Sequence, residues 1–380
     1  MPSSTRLLLV GAGHAHVEVL RRLALERPAG LAVTIVSPQA EHPYTGMLTG
    51  YVAGEYALEE LLLPVEALAE RAGATFVRDR AVRLRHADRV AELAGGSRMS
   101  YEVVSLDVGS TVAGLELPGV RRHALPVKPL ESVVTLGESI ARAPQGAHVL
   151  VVGGGAAGVE LALTVAAGLE RRGREAEVVL LEEHGRLLPE FSAGTSELAR
   201  RILRRRGIAA RTRVRVTAVE AGRAFDAAGD VWPHDVLVWA TGPAAPELFR
   251  VSDLPTDPAG YLLVGSDLQA VGRPGVFGAG DCVALAGKPW VAKAGVHAVR
   301  EAPVLWKSLR GTLLGGGPAS YRPRRRYLWI LNTGDGRGLL GWGRMAAHAR
   351  WARVLKERLD RRFMLRYLRA AGRAPPARRA

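Results

Sequence analysis

Cysteine is nearly absent: Cys282 is the single thiol in 380 residues. One thiol excludes an intramolecular disulfide, a cysteine-based zinc site and a redox dithiol within the chain. No apolar run approaches the roughly 18 residues that a transmembrane helix needs. The opening MPSSTRLLLVGAGHAHVEV lacks the hydrophobic stretch and small-residue cleavage site of a signal peptide. These absences point to a cytoplasmic protein. Aromatic residues make up only 6% and no nucleic-acid-binding motif is present, so a nucleic-acid partner is not expected. Lysine is scarce too, with five against 47 arginines, a bias read as genomic rather than functional.

What is present is an ordinary globular composition, 48% hydrophobic and 23% charged, long enough for two or three domains. The formal charge of +15 is unevenly spread. Residues 350–380 carry eleven Lys/Arg against Glu357 and Asp360, so nine of the fifteen excess charges sit there. Within that tail Trp351, Leu355, Leu359, Phe363 and Tyr367 recur every four residues, beside Val354. Arg353, Lys356, Arg361 and Arg362 fall largely off the stripe. The pattern is a basic amphipathic helix over 350–370, which either lies on an anionic membrane surface or packs on the body or a second subunit. Arg322–Arg326 adds a second basic patch. Arg373–Ala380, rich in Pro, Arg and Ala, is expected to be disordered.

Glycine is arranged with purpose. Arg6–Val10 is an apolar strand that stops at Gly11-Ala-Gly13-His-Ala-His16, followed by a helix from Val17 to Ala24 and a strand Leu31–Val36. Such a βαβ unit offers its helix N-terminus to a pyrophosphate. The grammar returns 142 residues later: strand Ala147–Val152, turn Gly153-Gly-Gly155-Ala-Ala-Gly158, helix Val159–Leu169, strand Glu177–Leu181 and then Glu182. The second copy matches the dinucleotide fingerprint better, with three glycines and a closing acid. Glu182 could accept both ribose hydroxyls and would repel a 2′-phosphate, favouring NADH over NADPH, although Arg186 lies near enough to offset it. In the first copy His16 stands in place of the third glycine and Ser37 in place of the acid.

Gly275-Val-Phe-Gly-Ala-Gly280-Asp281 is a short strand ending in small residues and one carboxylate, which could bond a polyol chain such as the ribityl of FAD. Val103–Ser110 and Val236–Gly242 also end strands with small residues, where a chain can cross between domains.

Together these segments resemble the two-dinucleotide-binding flavoprotein family of pyridine nucleotide oxidoreductases, and within it the type II NADH dehydrogenase-like branch. More narrowly they are similar to the flavoprotein module associated with selenide, water dikinase, through Gly11–Val17, Pro43–Leu48, Ser105–Ser110, Pro126–Pro129 and Leu331–Gly336. The resemblance implies an α/β fold of two Rossmann-like domains, the NAD(P) domain inserted in the FAD domain, with a C-terminal helical, basic extension. The implied division is 1–118 and 246–318 for FAD, 119–245 for NAD(P)H, and 319–380 for the extension.

The same resemblance implies site residues. Gly11 and Gly13 should approach the FAD pyrophosphate, and Pro43, Tyr44, Thr45, Gly46 and Met47 should line the isoalloxazine. Gly280 and Asp281 should hold the ribityl, and Lys293, Ala294 and Gly295 should face the pyrimidine end. Gly153, Gly155, Gly158 and Glu182 should hold the NAD(P)H. His14, Ser37, Gly109, Thr241 and Gly242 are placed at cofactor-binding positions as well. Glu160 should sit near nicotinamide and flavin. Glu160, Lys293 and His297 are candidates to supply protons or bind the acceptor, or are structural polar groups beside a cofactor.

Hydride transfer from NAD(P)H to flavin needs stacking and orientation rather than a protein acid or base. With no dithiol, electrons must leave to an external acceptor such as a quinone. Cys282 reads as a small buried hydrophobe. His14 and His16 have no evident carboxylate partner, so no metal is expected. The expected function is therefore an FAD-dependent NAD(P)H dehydrogenase, peripheral on the inner face of the cytoplasmic membrane through 350–370 or free of it, with a homodimer left open. The alternative is an accessory or regulatory flavoprotein acting on a partner in selenium metabolism.

Overall fold

The apolar run Thr5–Val10 lies parallel to Leu31–Val36 on one side and to Val103–Leu106 on the other, with Leu9 opposite Ile35 and Ser105. All of Leu7 to Val10 are buried, as a strand covered on both faces requires. Adding Thr75–Val77 and Val276–Gly278 gives a five-stranded parallel sheet with Thr5–Val10 at its centre. The computed structural model describes residues 4–129, 131–317 and 319–376. Of the tail expected to be disordered, 377–380 lie outside the described residues.

A second five-stranded parallel sheet repeats this order. Leu125–Pro126, Val236–Trp239, Ala147–Val152, Ala176–Glu182 and Ala209–Thr212 follow one another, with Ala147–Val152 central. A three-stranded antiparallel meander is inserted into each sheet at the same point, residues 81–100 between Thr75–Val77 and Val103–Leu106, and residues 216–233 between Ala209–Thr212 and Val236–Trp239. The chain leaves the first sheet after Leu106, builds the second, and returns at Val276. The two crossings, Thr111–Val112 and Pro243–Ala244, pair antiparallel. This is an α/β fold with one Rossmann-like unit inserted in another.

Both glycine turns start helices at their second glycine: His14–Glu26 after Gly13, and Ala156–Glu170 after Gly155. Each runs a little beyond the stretch predicted, because the extended Gly13 and Gly155 already serve as N-caps. The helix Gly295–Leu314 packs on His14–Glu26, and the short helix Thr45–Val52 packs on Ala156–Glu170. A Cβ at Gly168 would lie 2.5 Å from the carbonyl of Val52, so glycine permits that close approach.

Residues 328–349 form a three-stranded antiparallel sheet that feeds a helix Arg350–Ala370, at the expected position. Its stripe is not one face. Phe363 and Tyr367 turn inward, with the Phe363 ring stacked 4.3 Å from Tyr44, while Trp351, Val354 and Leu359 remain exposed. The cations favour the reading in which this helix packs on the body. Arg353 pairs with Glu55, Lys356 with Asp360, Arg361 with Glu60 and Glu357, Arg366 with Glu18, and Arg373 with Glu41. Much of the apparent basic face is therefore spent on acids of the chain itself. Among the described residues no helix is long and apolar enough to cross a membrane.

Candidate active site

The two glycine turns sit on the same frame. Gly11 (φ +89°) and Gly153 (φ +110°) occupy the left-handed half of φ space at the carboxyl ends of the central strands. A Cβ on either would strike the backbone of the neighbouring strand, 2.4 Å from the Asp107 carbonyl and 2.3 Å from the Ala240 carbonyl respectively. At Gly158 a Cβ would stand 1.7 Å from the carbonyl of Gly153, so helix and turn meet at the closest packing a glycine allows. Nothing lies within 4 Å of the Cβ position of Gly155, leaving an open seat at a helix N-terminus. The Glu182 carboxylate closes this second turn, accepting from the N–H of Gly154 at 2.5 Å and of His184 at 2.7 Å.

In the first turn the imidazole of His16 fills the place of the third glycine. Its ring nitrogens meet the Gly11 carbonyl at 2.7 Å and the Ser105 hydroxyl at 2.8 Å. Asp107, ending the adjacent strand, lays its carboxylate against the helix start and accepts from the N–H of Ala15 and His16 at 2.8 and 3.0 Å. Burial pushes this carboxyl up to about 7 against those two bonds. The amides of the first turn thus already hold an anionic group. By this test the residues at both turns fit dinucleotide phosphates. Ser37 is buried and spends its hydroxyl on the Gln39 carbonyl.

Several distant expectations converge beside the first turn. The His14 ring lies 5.5 Å from the Tyr44 ring, its Nε2 lies 3.4 Å from the Thr45 hydroxyl, and burial pushes it down to about 4. The Thr45 hydroxyl is also 3.6 Å from where a Gly295 Cβ would stand. Pro43 and Met47 are buried, and the carbonyl of Gly46 accepts from Lys356 Nζ. Asp281 pairs with Lys128 at 2.5 Å, and the same ammonium donates to Ser110 at 2.6 Å, next to the open Gly109. A cavity of about 210 Å³ opens here, lined among others by Gly280, Asp281, Lys293, His297 and Glu301. Glu301 accepts from the N–H of Gly280 at 2.7 Å, and burial pushes it up to about 7.

Glu160 lies where three parts of the chain meet. Its Oε1 accepts from the Thr49 hydroxyl at 3.0 Å and from the N–H of Asn332 at 2.7 Å. Burial raises its pKa, opposed by the ammonium of Lys356. Lys356, with only 12% of its side chain exposed, bonds Asp360 at 2.8 Å, while the other oxygen of Asp360 accepts from Tyr44 at 3.0 Å. Acid, ammonium, carboxylate and phenol form one largely buried polar cluster around Asp360.

Other expected residues have more local duties. The Lys293 amine bonds the Val283 carbonyl and sits 4.0 Å over the Tyr261 ring. His297 Nδ1 meets the Tyr321 hydroxyl at 2.8 Å, and burial lowers its pKa. Both nevertheless line the cavity, with Ala294 between them as N-cap of the helix from Gly295. The Thr241 hydroxyl donates to the Ala113 carbonyl at 2.6 Å, fixing the crossing, and Gly242 accepts from Ala113. Cys282 is buried, and burial pushes its thiol up, out of the range of a reactive thiolate.

The sequence reading gave no site role to Asp107, Lys128, Glu301, Lys356 or Asp360, although Asp107 and Lys128 lie in segments that carry the family resemblance. A charged residue ending an apolar strand, as in Ser105-Leu-Asp107, is the signal that marks Asp107. The spacing of four between Lys356 and Asp360 is a common helix pair, so only the fold sets it apart.

The family described as Pyridine nucleotide-disulphide oxidoreductase matches residues 5–302. A demethylphylloquinone reductase of Synechocystis is 28% identical over 49% of this chain and 47% of its own. A NADH dehydrogenase-like protein of Mycobacterium tuberculosis is 27% identical over 74% and 73% respectively. The chain thus spans about half the length of the first and about three quarters of the second. The solved structure of NDH2 from Plasmodium falciparum in complex with NADH superposes with a TM-score of 0.80 at 14% identity, covering 98% of this chain and 99% of that one. None of these relatives concerns selenium, and the narrower resemblance gains nothing from them.

Proposed function

Because the chain belongs to the pyridine nucleotide-disulphide oxidoreductase family, we propose that it is an FAD-dependent NAD(P)H dehydrogenase that passes electrons to a quinone or a similar external acceptor. The observation that carries the reading is a duplicated glycine turn beside a buried proton-bearing cluster, in a chain with one inert cysteine. FAD, when bound, supplies the chemistry of accepting a hydride and releasing electrons to the acceptor.

Gly11 and Gly13 hold the FAD phosphates, with Asp281 at the ribityl and Tyr44, Thr45 and Met47 at the ring. Gly153, Gly155 and Gly158 hold the donor's phosphates. Glu182 sits 29 residues after Gly153 with its carboxylate turned to the turn, where a 2′-phosphate would meet a negative charge; NADH is the favoured donor. A quinone gains two protons with its two electrons, while NADH brings one hydride, so a proton must come from elsewhere. Glu160, kept protonated longer than an ordinary carboxylic acid by burial, is the residue that holds it, and Lys356 holds the acceptor's developing charge. Lys128 orients Asp281. The test is direct: the purified protein is expected to be yellow and to bleach anaerobically with NADH, then to recover with a quinone. A protein that stays colourless in excess FAD would end the proposal.

Membrane contact belongs to the same reading. Trp351, Val354 and Leu359 on the last helix, with Trp342 and Met345 on the hairpin that feeds it, are large exposed apolar side chains. Co-sedimentation with anionic vesicles is expected, and a Trp351→Ser, Leu359→Ser double variant should lose most of the pelleted fraction while keeping its flavin. Equal pelleting of both proteins would remove this helix from the membrane account.

A further inference from the structure

The two turns share a backbone, which makes each a control for the other. Asp107 N–H bonds the Val10 carbonyl at 2.9 Å, and Ala240 N–H bonds the Val152 carbonyl at 2.8 Å. Ser105 faces Leu9 as Val238 faces Val151. Asp107 and Ala240 are therefore the same position, as are Ser105 and Val238. The second turn carries Gly158, Val238 and Ala240. The first carries a polar set instead: His16, Ser105 and Asp107.

Resting on the assignment of FAD to the first turn, we propose that Asp107 is a built-in anion of this cofactor site, seated at the helix start before FAD arrives and protonated when the pyrophosphate takes its place. The carboxylate, not a side chain of the helix, caps its N-terminus: Gly13 offers no side chain, and Asp107 Oδ2 satisfies two of the free amides. A Cβ on Gly13 would fall 2.2 Å from that carboxylate and one on Gly280 2.7 Å from it, so both glycines open directly onto it. Two anions cannot share one desolvated helix terminus without a large Coulomb cost. Protonation removes the charge, and the resulting carboxylic acid can donate to a phosphate oxygen.

The groups around Asp107 leave it as the acceptor of that proton. From its own turn, His14 and His16 are each held neutral by burial, down to about 4. From the turn at 280–282 come Asp281, whose charge is answered by Lys128, and the neutral Cys282 thiol. From the helix Gly295–Leu314 comes Glu301, also pushed up to about 7 but bonded to Gly280 rather than to the first helix. Lys293, near this cluster, is tied to the Val283 carbonyl. Asp107 is the carboxylate in contact with the amides that a phosphate would use.

Calorimetric titration of the full-length apoprotein with FAD, in buffers of different ionisation enthalpy, tests this. At pH 8 the wild type is expected to take up close to one proton per FAD, and above about pH 7 its affinity should fall toward tenfold per pH unit. Asp107→Asn, whose amide oxygen can still accept from the helix, should show buffer-independent heats and a flat pH profile. Asp107→Ala, which copies Ala240, should do the same, and Glu301→Gln should keep the wild-type uptake. Buffer-independent heats in the wild type, uptake that survives both Asp107 variants, or uptake lost in Glu301→Gln would each overturn the inference. Wild-type apoprotein that binds no FAD at any pH would instead overturn the assignment of FAD to this turn.

Discussion

A Gly158→Ala variant is expected to keep its flavin and lose its response to NADH. The added methyl would stand 1.7 Å from the Gly153 carbonyl, where an ordinary contact is about twice as long. Neither side can yield easily. Gly153 is pressed against the Ala240 carbonyl and holds φ +110°, and the helix that starts at Gly155 is buried along most of its length. The helix start must move by more than an ångström, and it is the part that would seat the donor's phosphates. Overpacking of this kind costs about 1–3 kcal/mol of stability, and an ångström of misplacement can cost about 100-fold in reactivity. The first sheet is untouched, so flavin content should be unchanged. The measurement is anaerobic stopped-flow bleaching against NADH concentration, beside the flavin-to-protein ratio. Wild-type bleaching rates in this variant would show that the second turn is not the donor's seat.

Glu160→Gln is expected to separate the two halves of turnover. The amide keeps the shape and can accept from Thr49 and Asn332, but carries no transferable proton. Flavin bleaching by NADH should change little, whereas reoxidation by a quinone should slow by about 100-fold or more, the usual worth of a positioned acid. The pH profile gives the sign. Burial raises the pKa of Glu160 above the ordinary carboxylate value, and a donor works only while protonated. Wild-type reoxidation should therefore decline as pH rises through that raised pKa, and the Gln variant should lack this limb. Equal slowing of both half-reactions, or a limb that persists, would make Glu160 a structural residue.

The ease of reading this fold from its sequence has a local cause. Strand, glycine turn and helix are encoded within some twenty residues, because the turn needs glycine where φ is positive and where helix meets strand. Hence the central strands and both turn helices lie where their residues place them. Ser37 and Glu182 likewise fall at the same end of corresponding strands, immediately after Val36 and Leu181, which take the first N–H of each turn. The tail left two readings open for the opposite reason. A stripe of apolar residues and a surplus of arginine describe a helix, but not the acids waiting elsewhere, and Glu18, Glu41, Glu55 and Glu60 all lie more than 290 residues away from the tail arginines they pair with.

By itself the amino-acid order determined two nucleotide-type turns, the lack of a second thiol and a helix at the end. It could not determine which side chains those turns would face. Asp107 reaches the first helix because strand 103–106 pairs with strand 5–10, and the charge of Lys356 acts on Glu160 because the last helix packs both on the first sheet's helices and on the hairpin whose Asn332 bonds Glu160. Local backbone geometry is written in neighbouring residues, whereas the charge state of a buried carboxyl depends on every group that desolvation brings around it, and only the folded chain decides that company.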